Sequence, residues 1–173
     1  MAAELDLPTD LTTIDIFRQT TEGTNRYDRL CINPASTSQV AYYYEVTPEQ
    51  VAIHLGDKDG PVIATAPSLD SGDSITEIRV PQYDVKIPIG QGSALFIVNG
   101  KGYVWKKRQL IEEQTGRVLA LFHPLAGSAH VGNIYITPAG EAMRDLAVII
   151  ALVEQGRSEH TKKTKVNHLR DFR

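Results

Sequence analysis

One stretch of the sequence decides the fold: Glu141-Ala-Met-Arg-Asp-Leu-Ala-Val-Ile-Ile-Ala-Leu-Val-Glu-Gln155, preceded by Pro138 and followed by Gly156. An acidic first turn and a terminal glycine are typical of a helix, which we predict over about residues 141–155. From Leu146 to Val153 no residue is polar. A surface helix would carry its apolar side chains on one side only, so we expect this helix to be enclosed on every side.

The rest of the chain predicts about twelve short β-strands, because short runs of β-branched and aromatic residues alternate with clusters of Gly, Pro, Asn and Asp. Asn99-Gly100 between two such runs predicts a tight hairpin. A two-sheet sandwich fills its core from its own sheet faces, whereas a barrel can enclose a helix. The predicted fold is therefore mostly β, with about twelve strands closed into a barrel around one buried apolar C-terminal helix.

The domain organisation follows from where the apolar residues end. Residues 1–156 contain all the predicted strands and the helix, and form one predicted barrel domain. Residues 157–173 carry six Lys or Arg and two acidic residues, whereas the whole chain has a formal net charge of −3. We therefore expect an acidic body and a basic, flexible C-terminal tail.

Four segments add a resemblance to a known family: Tyr103-Val-Trp-Lys106, Gly116-Arg-Val-Leu-Ala-Leu-Phe122, Gly132-Asn-Ile-Tyr-Ile136 and Asp145-Leu-Ala-Val-Ile149. Their order up to the helix resembles the tubby C-terminal-like superfamily, which includes phospholipid scramblases and LURP-one-related proteins. It is most similar to a family of small proteins of higher fungi placed in that superfamily. The resemblance implies a tubby-like barrel and phosphoinositide binding, with no residue-by-residue transfer of a lipid site.

The composition bounds the location. Cys31 is the only cysteine, so no intramolecular disulfide can form, and we interpret it as a buried core thiol. The N-terminal residues are acidic and lack the apolar region of a secretory signal. The longest apolar run has eight residues, Leu146 to Val153, against about 20 needed to cross a bilayer. We expect a cytoplasmic protein without a transmembrane segment. Any association with membranes would then be peripheral.

The sequence contains no catalytic or metal-binding motif, and we predict neither a metal nor a cofactor. His123 and His130 bracket a predicted loop, and with Tyr135 they could form a pocket at a barrel mouth. One alternative function is therefore a small enzyme of a fungal metabolite pathway using these three residues. A second alternative is a structural protein that self-assembles through an exposed barrel edge.

The basic residues favour a different function. They form two groups, one near a predicted hairpin and one in the tail: Lys101, Lys106, Lys107 and Arg108, and Lys162, Lys163 and Lys165. Such clusters attract anionic lipid headgroups. Nucleic acid is disfavoured, because the body is acidic and basic residues do not interleave with aromatic ones. The leading hypothesis is a non-enzymatic binding module that docks on anionic phospholipid or on a protein partner through these residues.

Overall fold

The structure, a computed structural model, describes residues 10–20, 27–33, 35, 39–68, 76–90, 92–127 and 129–170, with side chains up to residue 160. Within these ranges the chain forms twelve strands followed by one α-helix. The strands are β1 (Thr12–Thr20), β2 (Tyr27–Ile32), β3 (Val40–Val46), β4 (Gln50–Leu55), β5 (Val62–Pro67), β6 (Thr76–Val80), β7 (Val85–Ile89), β8 (Ala94–Val98), β9 (Lys101–Lys106), β10 (Gln109–Glu112), β11 (Val118–Pro124) and β12 (His130–Ile136).

The twelve strands form one antiparallel sheet in the order β7-β6-β5-β4-β3-β2-β1-β12-β11-β10-β9-β8. Each strand pairs with its neighbours in sequence, and the first strand pairs with the last through Ile14 and Ile134. Among the described strands, β7 and β8 are the two edges of the sheet. They lie side by side, but no ladder of hydrogen bonds joins them. The sheet is thus a nearly closed barrel with one seam, which confirms the predicted fold class.

Alternation along the strands places one set of side chains inside the barrel. In β8, for example, Ala94, Phe96 and Val98 are buried while Leu95 and Ile97 are exposed. Side-chain direction reverses at each residue of a strand, so the buried set faces the interior. The Asn99-Gly100 hairpin forms as predicted, with φ values of 50° and 77° that Asn and Gly tolerate.

The helix fills the barrel. A 3₁₀ turn, Pro138–Met143, leads into α1, which spans Arg144–Arg170. Every residue from Leu146 to Val153 is at most 1% exposed, so the fully apolar stretch is enclosed on all sides, as its sequence predicts. Among the described residues, no helix combines the length and apolarity needed to cross a membrane.

The predicted helix, about 141–155, ends too early. Residues 141–143 belong to the 3₁₀ turn, and α1 continues through Gly156 to Arg170. Gly156 is not a stop signal: a Cβ atom at this position would lie 2.2 Å from Tyr44 Oη, so only glycine lets the helix pass this buried ring. The backbone of residues 157–170, predicted to be a flexible tail, therefore continues the helix.

Candidate functional site

Polar contacts fix the helix at both openings of the barrel. At its N-terminal end, Tyr42 Oη donates to Asp145 and Thr12 Oγ1 donates to Glu141. At the other end, which we call the C-terminal mouth, the strands contribute groups that bind helix residues 154–159. Arg157 Nη1, for instance, donates to the carbonyl oxygen of Ile89 at 2.8 Å, at the end of the edge strand β7. The helix thus presents its polar residues where the barrel opens.

A partly buried ion network lies within the C-terminal mouth. Arg29, only 3% exposed, donates to Glu159 Oε2, and Arg18 Nη2 donates to Glu159 Oε1 at 3.1 Å. The guanidinium of Arg29 also lies 5.0 Å from the centre of the Tyr44 ring. Burial raises the pKa of Tyr44 to about 12, against the opposing charge of Arg29, so its hydroxyl stays neutral. Because Glu159 is shared by two arginines, its charge is already compensated.

Next to this network the mouth contains a cavity of about 310 Å³. Its apolar wall follows β11 and the loop after it: Phe122, Pro124, Leu125 and Ala126. Its polar wall combines the β9–β10 turn with one side of the helix: Arg108, Glu154, Gln155, Ser158 and Glu159. A volume near 300 Å³ is at the small end of the range for ligand pockets, about 300–1,000 Å³. The cavity can hold a small molecule that is polar on one side only.

Glu154 is held in the cavity wall by a hydrogen bond from Trp105. Trp105 Nε1 donates to its Oε2 at 2.7 Å. Burial raises the pKa of Glu154 above the ordinary value of 4.5, against the lowering effects of Trp105 and of the Arg108 charge. Behind it, Gln155 Nε2 donates to the carbonyl oxygen of Val131 at 2.8 Å, which fixes the orientation of that amide. The carboxylate therefore has a fixed position, and its Oε1 accepts no hydrogen bond from the part of the chain that the structure describes.

The turn that carries Arg108 has an unusual backbone. Lys106 pairs with Gln109, so Lys107 and Arg108 alone form the turn, with φ values of 48° and 63°. Asn and Gly are the residues that normally occupy both positions of such a turn, and a bulkier residue there costs about 1 kcal/mol or more. Since backbone preference does not explain this pair, their side chains are functional candidates.

The predicted basic cluster does not form one group. Lys101 begins β9 and Lys106 ends it, so roughly 16 Å of strand separates them. Lys101 lies 3.9 Å from Glu112 near the opposite opening. The side chains of Lys106, Lys107 and Arg108 are exposed at the C-terminal mouth. The tail residues Lys162, Lys163 and Lys165 have helical backbone, and their side chains lie outside the described residues.

Lys106 and Lys107 differ from Arg108 in their surroundings. Neither lysine has an ion-pair partner in the part of the chain that the structure describes, and both side chains are exposed. Arg108 instead lines the cavity, and its positive charge has a lowering effect on the pKa of Glu154. The two lysines are therefore available to an external anionic surface, whereas Arg108 belongs to the cavity.

Two exposed aliphatic side chains lie on β8, the strand next to the one that ends in Lys106, and the sequence did not lead us to them. Leu95 and Ile97 on β8 are 58% and 67% exposed, respectively. Leu95 pairs with Val104, so Leu95 is the diagonal neighbour of Lys106 on the adjacent strand. Diagonal neighbours in a sheet are about 7–8 Å apart. The signal was present: Ala94 to Val98 are all apolar, and alternation forces two of these five residues outward.

His123, His130 and Tyr135, predicted to form a pocket at a barrel mouth, lie on β11 and β12. Phe122 and Ile134, the neighbours of His123 and Tyr135, are buried and paired inside the barrel, so these two residues lie on the outer face. A register shift in the β1–β12 ladder pairs His130 with Phe17, whose neighbour Ile16 is buried, so His130 lies on the outer face as well. His130 stacks on Phe17 at 4.9 Å between ring centres, and His123 pairs with Asn133 across the strands. None of the three lines the C-terminal cavity.

These outer-face residues do not form a metal site either. In the described ranges, no three His, Cys, Asp or Glu side chains come close enough to hold a metal ion. Cys31 is fully buried, and burial raises the pKa of its thiol, as expected for a core residue. The candidate site residues are thus those on β8, at the end of β9 and in the β9–β10 turn, together with those that line the C-terminal mouth.

Comparison with known proteins gives no independent identification: the chain matches no protein-family model, no curated protein and no solved structure.

Proposed function

We propose that this protein is a non-enzymatic binding module that docks peripherally on membranes containing anionic phospholipid. The docking surface is the β8–β9 face, which we define as Leu95, Ile97, Lys106 and Lys107. The observation that carries the proposal is the exposure of two large aliphatic side chains on the strand next to cations that lack an ion-pair partner among the described residues. Aliphatic residues flanked by lysine are typical of proteins that bind the lipid interface.

The energetics support reversible docking. Each lysine near an anionic surface contributes about 1 kcal/mol, and this attraction fades within a Debye length of about 8 Å at physiological salt. Full burial of a Leu or Ile side chain contributes about 1.5–3 kcal/mol, so the exposed parts of Leu95 and Ile97 contribute roughly half of that or more. The lysines supply the dependence on anionic lipid, and the aliphatic residues supply the part of the affinity that salt does not remove.

Several sequence-based expectations belong to this proposal. The resemblance to the tubby-like superfamily and its small fungal family suggests lipid binding, and a cytoplasmic location would expose the face to anionic inner leaflets. The helix beyond Gly156 carries Lys162, Lys163 and Lys165 out of the C-terminal mouth, the opening next to which Lys107 lies. These lysines therefore belong to the proposed contact, while Lys101, at the far end of β9, does not.

The proposal is tested by co-sedimentation with vesicles that contain phosphatidylserine, at low and at high salt. Lys106→Glu should weaken binding at low salt, and Leu95→Ser with Ile97→Ser should weaken it at both. Lys58 is an exposed lysine on the β4–β5 connection. Lys58→Glu gives the same change in net charge as Lys106→Glu and should have little effect.

Two outcomes would overturn the proposal. One is no binding to anionic vesicles even at low salt. The other is an equal loss from Lys58→Glu and Lys106→Glu, which would mean that net charge rather than this face controls the interaction. If Leu95 and Ile97 instead control self-association, seen as concentration-dependent sedimentation without vesicles, the face is an interface between copies of this chain.

A further inference from the structure

We infer that the cavity at the C-terminal mouth is a binding site for a small zwitterion, an α-amino acid with an apolar side chain. The cavity is separate from the β8–β9 face, and the inference goes beyond membrane docking. Arg108 and Glu154 line it from opposite elements, the β9–β10 turn and the helix. Each would contact one charged end of the ligand.

The charges of the wall select a zwitterion over a simple ion. Glu159 is compensated by Arg29 and Arg18, which leaves Arg108 and Glu154 as the two opposite charges that face the cavity without an ion pair between them in the described structure. An anion bound to Arg108 alone would lie close to the Glu154 carboxylate, and a cation bound to Glu154 alone would lie close to the guanidinium. A carboxylate and an ammonium on one molecule satisfy both groups.

The remaining walls define the rest of the ligand. Phe122, Pro124, Leu125 and Ala126 add an apolar surface to the cavity lining beside the charged pair. A cavity of about 310 Å³ leaves room for a side chain of the size of leucine or phenylalanine. Trp105 holds Glu154 in place through its indole N–H, so the acceptor does not have to be ordered when the ligand binds.

The strained turn supports the same site. Lys107 and Arg108 occupy left-handed positions that favour Asn or Gly, and only Arg108 of the two lines the cavity. This unfavourable backbone carries Arg108 into the lining of the cavity, which Ser158 and Glu154 also line. Strained positions of this kind are concentrated at ligand-binding sites.

The test is isothermal titration of the full chain with L-leucine and L-phenylalanine at neutral pH. L-leucinamide lacks the carboxylate and N-acetyl-L-leucine lacks the ammonium, so each derivative should bind at least about tenfold more weakly, a difference of about 1.4 kcal/mol. Glu154→Gln keeps an acceptor for Trp105, and Arg108→Asn suits the left-handed turn. Both variants should fold normally and lose at least about tenfold in affinity.

Lys107→Asn is the matched control, because it removes a charge from the same turn without touching the cavity. It should bind the amino acids as the unmodified chain does, whereas Glu154→Gln should sediment with anionic vesicles as before, which separates this inference from the proposed membrane docking. No binding at millimolar concentrations, binding of either derivative as tight as that of L-leucine, or equal losses from Lys107→Asn and Arg108→Asn would each overturn the inference.

Discussion

Replacing Gly156 by alanine tests how the helix passes through the barrel. A Cβ atom at this position would lie 2.2 Å from Tyr44 Oη and 2.9 Å from Tyr44 Cζ, and the Tyr44 ring is fully buried and cannot move aside. Overpacking of a core costs about 1–3 kcal/mol, and so short a contact belongs at the upper end. Alanine in a helix interior recovers about 1 kcal/mol relative to glycine. We expect a net loss of about 2 kcal/mol.

The assay is thermal unfolding followed by circular dichroism. For a domain of this length, about 2 kcal/mol corresponds to a decrease in Tm of roughly 4–8 °C. Tyr44→Phe removes the oxygen nearest to the new Cβ, so the double variant should recover about 1 kcal/mol of the loss in a double-mutant cycle. Ser158→Ala, exposed on the same helix, should change stability by no more than about 0.5 kcal/mol. A Gly156→Ala protein at least as stable as the unmodified chain would refute the close packing.

Four further predictions concern the core and the ends of the helix. Ile149→Asp should prevent folding, because it places a charge in a fully buried position with no partner, and soluble protein with normal Tm would contradict this. Trp105, 3% exposed, should emit at short wavelength and resist iodide quenching. Glu154→Gln should stabilise the protein at neutral pH and not below about pH 4, because the raised pKa of Glu154 disfavours its ionised form in the fold. Glu141→Gln should destabilise it at neutral pH and not at low pH: partial burial opposes ionisation of Glu141, but the hydrogen bonds from Thr12 and Arg144 outweigh it and lower its pKa. Unfolding free energies measured across this pH range check both signs.

The architecture was predictable because it depends on patterns that local sequence carries. All twelve strands could be located from their apolar alternation and their turns, and an apolar segment with no polar side requires enclosure. The end of the helix could not be found in this way. Gly156 reads as a stop signal by local rules, but its role is set by Tyr44, which is 112 positions away in the sequence and meets it only in the folded barrel.

The candidate site was only partly predictable for a related reason. Lys106, Lys107 and Arg108 are visible as a basic run in the sequence. The sequence does not show that Arg108 lines the cavity while the two lysines do not. Ser158 and Glu159 line the cavity only because the helix continues past the expected stop. Leu95 and Ile97 were missed although alternation along the strand marks them as outward-facing.

The most direct test of the docking proposal is a fluorescent label on the β8–β9 face. Cys31 is the only native cysteine and is fully buried, so a thiol introduced by Leu95→Cys can be labelled selectively with an environment-sensitive dye. Leu55→Cys, 44% exposed on β4 and four strands away from β8, is the matched control. Vesicles containing phosphatidylserine should shift the emission of the label at position 95 to shorter wavelength at low salt and leave the label at position 55 unchanged. An equal response at both positions, or none at position 95, would contradict docking through this face.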